Sequence, residues 1–170
     1  MRLGQNLKRQ IHWFGKLLSL FLILIQGACS ESPPPPVPQV FLEKVYVTID
    51  PKANLDTAVA MDLLIVYEDG LVDTLFKMSA LNYFENKEQI LRDNPGQIDV
   101  WSWEVVPGQV IAPRPIVMSQ PIPRGGVVFA NYLTPGDHRV RLGKELVVQI
   151  KLLPKDLFVS PILGEMEDED

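Results

Sequence analysis

Beyond residue 40 the chain alternates apolar and polar positions with a period close to two. Val45, Val47 and Ile49 oppose Lys44, Tyr46 and Thr48, the pattern of a strand with one face buried. Pro51 interrupts the ladder, and Pro51, Lys52, Ala53, Asn54, Leu55 and Asp56 read as a loop, because proline lacks a donor and Asn and Asp favour turn conformations. A second strand is expected over 61–68, where Leu63, Leu64, Ile65, Val66 and Tyr67 form a continuous apolar run of strand length. Over 71–94 the period lengthens. Leu71, Leu75 and Met78 fall at helical spacing, Ser79 can cap a turn containing Leu81 and Phe84, and Asn86 with Gln89 has the form of a capping box before Ile90 and Leu91. Asn94, Pro95 and Gly96 stop it, so one or two short helices are predicted, packed on a sheet or offering an apolar groove.

The period of two then returns. Val100, Ser102, Glu104 and Val106 alternate with Trp101, Trp103 and Val105, and the paired indoles suit a core better than a binding platform. Gln109 to Ile111 and Ile116 to Gln120 are weaker strands, expected at an edge because Pro113 and Pro115 interrupt them. Arg124-Gly125-Gly126 reads as a turn into a strand from Val127 to Leu133. Thr134-Pro135-Gly136-Asp137 is another turn before His138 to Leu142, and Glu145 to Leu153 alternates once more. Seven or eight short strands at this spacing indicate an all-β sandwich with a helical insertion at about 71–94.

The first forty residues follow different rules. Leu17 to Ile25 is apolar except for Ser19, with Lys8, Arg9 and Lys16 before it and Gly27-Ala28 after it, the layout of an export signal over residues 1–28. As a helix the run would be about 13 Å long at roughly 1.5 Å per residue, too short for about 30 Å of hydrocarbon. Cys29, the sole cysteine, follows directly. Ile25-Gln26-Gly27-Ala28-Cys29 resembles a bacterial lipobox, with Gln26 where Leu is usual, and the resemblance implies cleavage before Cys29 and acylation of its thiol and new amino terminus. A conventional signal cut near Ala28 is the alternative, but it leaves an unpaired thiol in an oxidising compartment. Two or more acyl chains anchor a protein stably. Ser30, rather than Asp, implies sorting to the periplasmic face of the outer membrane. Residues 29–39 then form a lipidated, proline-rich segment, Pro33 to Pro36 with Pro38, read as a semi-rigid stalk of about 3.1 Å per residue in preference to a proline-rich docking motif. The folded domain is expected over 40–163.

Charge narrows the partners. The chain carries 16 Lys and Arg against 21 Asp and Glu, and losing Arg2, Lys8, Arg9 and Lys16 with the signal leaves 12 against 21, a net charge of −9. Nucleic acid, which needs a basic face, is not an expected partner. The acidic end, 164–170, is too polar to pack and is expected to be disordered, with divalent ions or a basic partner as the alternatives. Catalytic signatures are missing. Only His12 and His138 occur, no Gly-x-Ser-x-Gly is present, and neither a phosphate-cradling loop nor a His and Cys cluster of metal-ligand spacing appears. No enzyme, metal or cofactor is expected, although carboxylate pairs such as Glu68 and Asp69 leave glycoside hydrolysis open.

A lipobox, a stalk, a strand ending near Asp50, Asn54 in the next loop, a strand closing on Val66-Tyr67, an insert with Ser79-Ala80 and Tyr83-Phe84, and then Val105-Val106-Pro107-Gly108 resemble the TssJ-type outer-membrane lipoproteins of type VI secretion systems. Val127-Val128-Phe129-Ala130, followed by Pro135-Gly136-Asp137 and Arg139, continues the likeness, whereas Thr57-Ala58-Val59 stands where that family commonly has a Gly-Arg-Pro-like stretch and the next strand lacks the family's Arg. The resemblance implies a transthyretin-like β-sandwich that holds the periplasmic part of a TssM-type inner-membrane protein. It also implies partner contacts on the loop of Pro51, Lys52, Ala53, Asn54, Leu55 and Asp56. In that loop Leu55, apolar between two polar residues, suits an anchor within a polar rim. The competing expectation is a free-standing periplasmic lipoprotein that binds a small ligand or glycan on the aromatic-bearing sheet.

Overall fold

The computed structural model describes residues 42–162, which lie within one compact unit. The signal, Cys29, the stalk and the acidic end lie outside the described residues. Eight strands run in the order β1 (Lys44–Ile49), β2 (Val59–Val66), β3 (Ile98–Val105), β4 (Arg114–Pro115), β5 (Gly125–Asn131), β6 (Arg139–Leu142), β7 (Val147–Leu152) and β8 (Leu157–Pro161). Two helices, α1 (Leu71–Phe76) and α2 (Ala80–Asp93), are inserted between β2 and β3. The strands form two four-stranded sheets, β4-β1-β7-β8 and β3-β2-β5-β6, so the chain is an all-β sandwich with a small helical insertion. Every pairing is antiparallel except β1 with β7, which run parallel in the register Lys44 to Val147 through Ile49 to Leu152.

Alternation explains the core between the sheets. Val45, Val47 and Ile49 of β1 and Val148, Ile150 and Leu152 of β7 meet Val59, Met61, Leu63 and Ile65 of β2 and Val128 and Ala130 of β5. Strand β2 has a second buried face, because the helices cover its even positions. Leu64 and Val66 pack with Val127 and Phe129 of β5 against Val72, Leu75, Ala80 and Tyr83. Burial on both sides is why β2 reads as a continuous apolar run.

Glycines at the start of β5 are what let α1 come so close. The expected turn at Gly125-Gly126 is instead the first part of β5, paired with Val66 and Ile65 of β2, and a Cβ on Gly125 would lie 3.0 Å from the Val72 side chain. One on Gly126 would lie 2.8 Å from Leu142 and 3.0 Å from the carbonyl oxygen of Leu64. Ser79 caps α2, accepting a hydrogen bond from the Asn82 N–H. The expected second start at Asn86 is absent: Asn86 bonds back to the Asn82 carbonyl and Gln89 bonds Asp93, both inside one helix. On the edge side, the paired residues are Arg114–Pro115 and not 116–120, since Ile116 donates its N–H to Glu43 and turns its side chain inward. Strand β3 is an edge strand, so Trp101 and Trp103 are only half-buried against the core, with the Arg114 guanidinium 5.2 Å from the Trp103 ring centre.

A buried carboxylate fastens the helical layer. Asp62 sits on the helix-facing side of β2, where it accepts a hydrogen bond of 2.8 Å from the Tyr83 hydroxyl and lies 2.7 Å from the Lys87 ammonium. Lys87 also donates to Ser102 of β3, and the Tyr83 ring stacks on Phe129 at 4.3 Å. Burial, with the Asp62 carboxylate beside it, pushes the Tyr83 phenol well above its ordinary range and keeps it a donor. Removing one partner of such a pair strands a buried charge, which typically costs about 3–5 kcal/mol, whereas replacing both is far milder. Lys87→Met should therefore destabilise strongly, and Asp62→Asn in the same chain should restore more than half of the loss. Urea unfolding of the three proteins measures this, and a Lys87→Met loss below about 1 kcal/mol, the scale of an exposed pair, would show that the pair is solvated.

Candidate functional site: the three-loop end of the sandwich

Residues 50–58, between β1 and β2, are shaped by an aspartate and an asparagine. Asp50 opens the turn, its carboxylate accepting the Lys52 N–H at 2.7 Å and its carbonyl accepting the Ala53 N–H at 2.9 Å. The chain then passes through three consecutive residues with positive φ: Asn54 at 49°, Leu55 at 58° and Asp56 at 61°. Such a conformation costs a non-glycine residue roughly 1–2 kcal/mol, so something must hold it.

Asn54 supplies the hold. It is buried, and every polar group it has is used. Its side-chain oxygen accepts the Leu133 N–H at 2.6 Å, its side-chain nitrogen donates to the Ala58 carbonyl at 2.8 Å, and its backbone N–H donates to Pro154 at 3.2 Å. Its carbonyl accepts both the N–H and the hydroxyl of Thr57, at 3.2 and 2.6 Å. One side chain thus joins the β1–β2 loop to the β5–β6 loop, and its backbone reaches the β7–β8 turn.

The other two loops are tied to each other. The Tyr132 hydroxyl lies 2.9 Å from the carbonyls of both Leu153 and Asp156, and burial raises its pKa so that it remains a donor. Thr134 donates its hydroxyl to Lys155. The buried His138 ring stacks on Tyr132, with Nε2 2.7 Å from the Thr134 carbonyl and Nδ1 3.1 Å from the Asp156 carboxylate. Both ring nitrogens are occupied by these structural contacts.

This web places apolar side chains in solvent. Leu55 is 61% exposed, Leu133 68% and Leu153 40%, one from each loop. Of the residues expected to meet a partner, Pro51, Lys52, Leu55 and Asp56 are exposed, while Ala53 and Asn54 are buried and support the loop from within. Leu133 and Leu153 were not expected at the site; the signal was a lone leucine beside a turn, in Leu133-Thr134-Pro135 and Leu153-Pro154.

The chain enters the domain at the opposite end. Glu43 donates its N–H to Leu146 and accepts that of Ile116, just before β1 begins, and the six residues of β1 then carry the chain about 20 Å to Asp50, at roughly 3.3 Å per residue.

Comparison with solved structures finds this architecture elsewhere. The T6SS lipoprotein TssJ1 from Pseudomonas aeruginosa superposes with a TM-score of 0.56 at 12% identity, over 76% of this chain and 99% of that one. The chain has the fold of these type VI secretion lipoproteins. Serratia marcescens Lip, a membrane-bound component of the type VI secretion system, superposes with a TM-score of 0.52 at 14% identity, over 75% of this chain and all of that one. No protein-family model and no curated protein sequence matches. With so little identity, the sandwich and its insertion are what is common to this chain and the TssJ-type structures.

If Asn54 is the tie, Asn54→Ala should lose both side-chain bonds and leave the Leu133 N–H and the Ala58 carbonyl without partners. The expected cost is about 2–4 kcal/mol, from two groups at about 1–2 kcal/mol each. Denaturant unfolding with amide exchange at Leu133 checks it; exchange at Leu133 as slow as in the unmodified protein would show that Asn54 does not join the loops.

Proposed function

We propose that this protein is an outer-membrane lipoprotein of a type VI secretion membrane complex, tethered through acylated Cys29 and holding the periplasmic part of a TssM-type inner-membrane protein. The observation that carries the reading is Leu55, an apolar side chain exposed from a buried, hydrogen-bonded tie in a left-handed conformation that favours few residues. The TssJ-type fold supports the complex, and Gly27-Ala28-Cys29-Ser30 supports the tether and its outer-membrane address. Under this reading residues 1–28 are removed, residues 29–39 form the stalk, and the sandwich presents Pro51, Lys52, Leu55 and Asp56 at the end away from its point of entry.

Leu133 and Leu153 extend the surface. An interface takes most of its energy from a few central apolar residues ringed by polar ones, and Lys52, Asp56 and Lys155 are exposed polar residues in the loops that carry Leu55 and Leu153. A preorganised loop also loses little conformational entropy on binding.

The experiment compares Leu55→Asp with Cys29→Ser in cells and in pull-down of the partner's periplasmic region. Leu55→Asp should keep its outer-membrane fractionation and circular dichroism while capture falls at least about tenfold, the loss of roughly 1.4 kcal/mol or more expected for a central anchor. Cys29→Ser should capture normally but fractionate as a soluble periplasmic protein. Undiminished capture by folded Leu55→Asp would remove the loop as the contact, and outer-membrane retention of Cys29→Ser would remove the tether.

A further inference from the structure

A cavity of about 320 Å³ opens between α1 and the strands β5 and β6, with Val72, Asp73, Arg124, Gly125, Arg141 and Gly143 in its wall. Two guanidiniums face it. Arg124 is 3.3 Å from the Asp69 carboxylate, and Arg141 is paired with Asp73 and stacked 5.4 Å from the Phe76 ring centre. Both acids are 66% exposed, the situation in which an ion pair is weakest, and each guanidinium has five N–H donors of which one carboxylate can use two. Donors therefore remain for a further carboxylate. The Glu145 carboxylate folds over Gly143 at the rim and leaves exposed Lys144 between them.

Charge around this cavity is mixed. From 124 to 144 the chain has four cations, Arg124, Arg139, Arg141 and Lys144, against the single acid Asp137, but Asp69, Asp73 and Glu145 come in from neighbouring segments, so a further carboxylate depends on the guanidinium donors that these acids leave unused. Arg139, 2.7 Å from Asp137 and stacked on Phe76, is not part of the cavity wall, which leaves Arg124 and Arg141 as the cations of the wall, with Lys144 next to its Gly143.

The end of the described chain lies nearby. Strand β8 closes with Pro161 opposite Val148, and Ile162 donates its N–H to Val147 at 3.0 Å. Val147 follows Gly143 by four residues, so Ile162 lies within about 19 Å of the cavity wall, counting roughly 3.5 Å per residue and about 5 Å between paired strands. Glu165, Glu167, Asp168, Glu169 and Asp170 follow three to eight residues later, with a reach of about 10 to 28 Å.

We propose that the cavity is a carboxylate-binding site and that its occupant is the chain's own acidic segment, residues 165–170, folded back onto Arg124 and Arg141. Attachment to β8 gives the segment an effective concentration of the order of millimolar at the donors that Asp69 and Asp73 leave unused. The contact links the last strand of one sheet to the edge strand of the other, and it weakens as salt rises.

The test is carbodiimide coupling of the full-length protein in detergent, which joins a carboxylate to an amine in contact with it, read by peptide mass spectrometry. Low salt should give a link within one molecule between an acid of 165–170 and Lys144. That link should fall several-fold in 0.5 M salt, where the screening length is only about 4 Å, and also in Arg124→Gln/Arg141→Gln. Absence of the link, links to Lys52 or Lys155 at the far end in its place, links only between two copies, or a yield indifferent to both salt and the Arg changes would each overturn the proposal. The salt comparison on the unmodified protein holds whether or not the double variant folds.

Discussion

Strand β2 must be buried on both faces, and the rest of the domain follows from that requirement. Its odd positions fill the space between the sheets, and its even positions need a cover, which α1 and α2 provide. The cover is fixed in place by Asp62, a charge that can be buried only because Tyr83 and Lys87 reach it from α2. Gly125 and Gly126 belong to the same solution, since side chains there would hold α1 and β6 away from the sheet. The helical insertion is thus a third layer without which the central strand would expose half of its apolar surface.

Parallel pairing of β1 with β7 has a further consequence. Both strands start at the end where the chain enters and finish at the end where residues 50–58 and 153–156 lie. The β5–β6 loop arrives at that same end, and Asn54 and Tyr132 join the three. A loop held by buried hydrogen bonds can keep a leucine in solvent at positive φ, because the stabilisation from the tie offsets the local strain. Exposed leucines on a stiff support suit the proposed docking surface.

Much of this was legible in the chain. Alternation located β1, β3 and β7 to within a few residues and the change of period over 71–94 located the helical layer, because one-sided burial imprints its period directly, while β2 and β5 showed as unbroken apolar runs, the mark of burial on both faces. Strand β8 escaped: Leu157, Phe158 and Val159 lie between Pro154 and Pro161, too short a run to stand out. Asp62 was hidden inside an apolar run, and the clue lay elsewhere, in Tyr83 and Lys87 four residues apart on one helix face. The loop at 50–58 was legible as a loop, and Leu55 as its apolar tip. What could not be read was the role of Asn54, whose partners Leu133 and Pro154 are 79 and 100 positions away and come together only through the sheet topology.

The direct measurement for the three-loop end is hydrogen–deuterium exchange of the full-length protein, with and without the proposed partner's periplasmic region. Docking there should slow exchange in 52–57, 132–137 and 153–156 together, while 43–46 and 114–117 at the entry end stay unchanged. Slowed exchange confined to the entry end or to the β3 edge, with the three loops unaffected, would contradict the assignment of the docking surface to Leu55, Leu133 and Leu153.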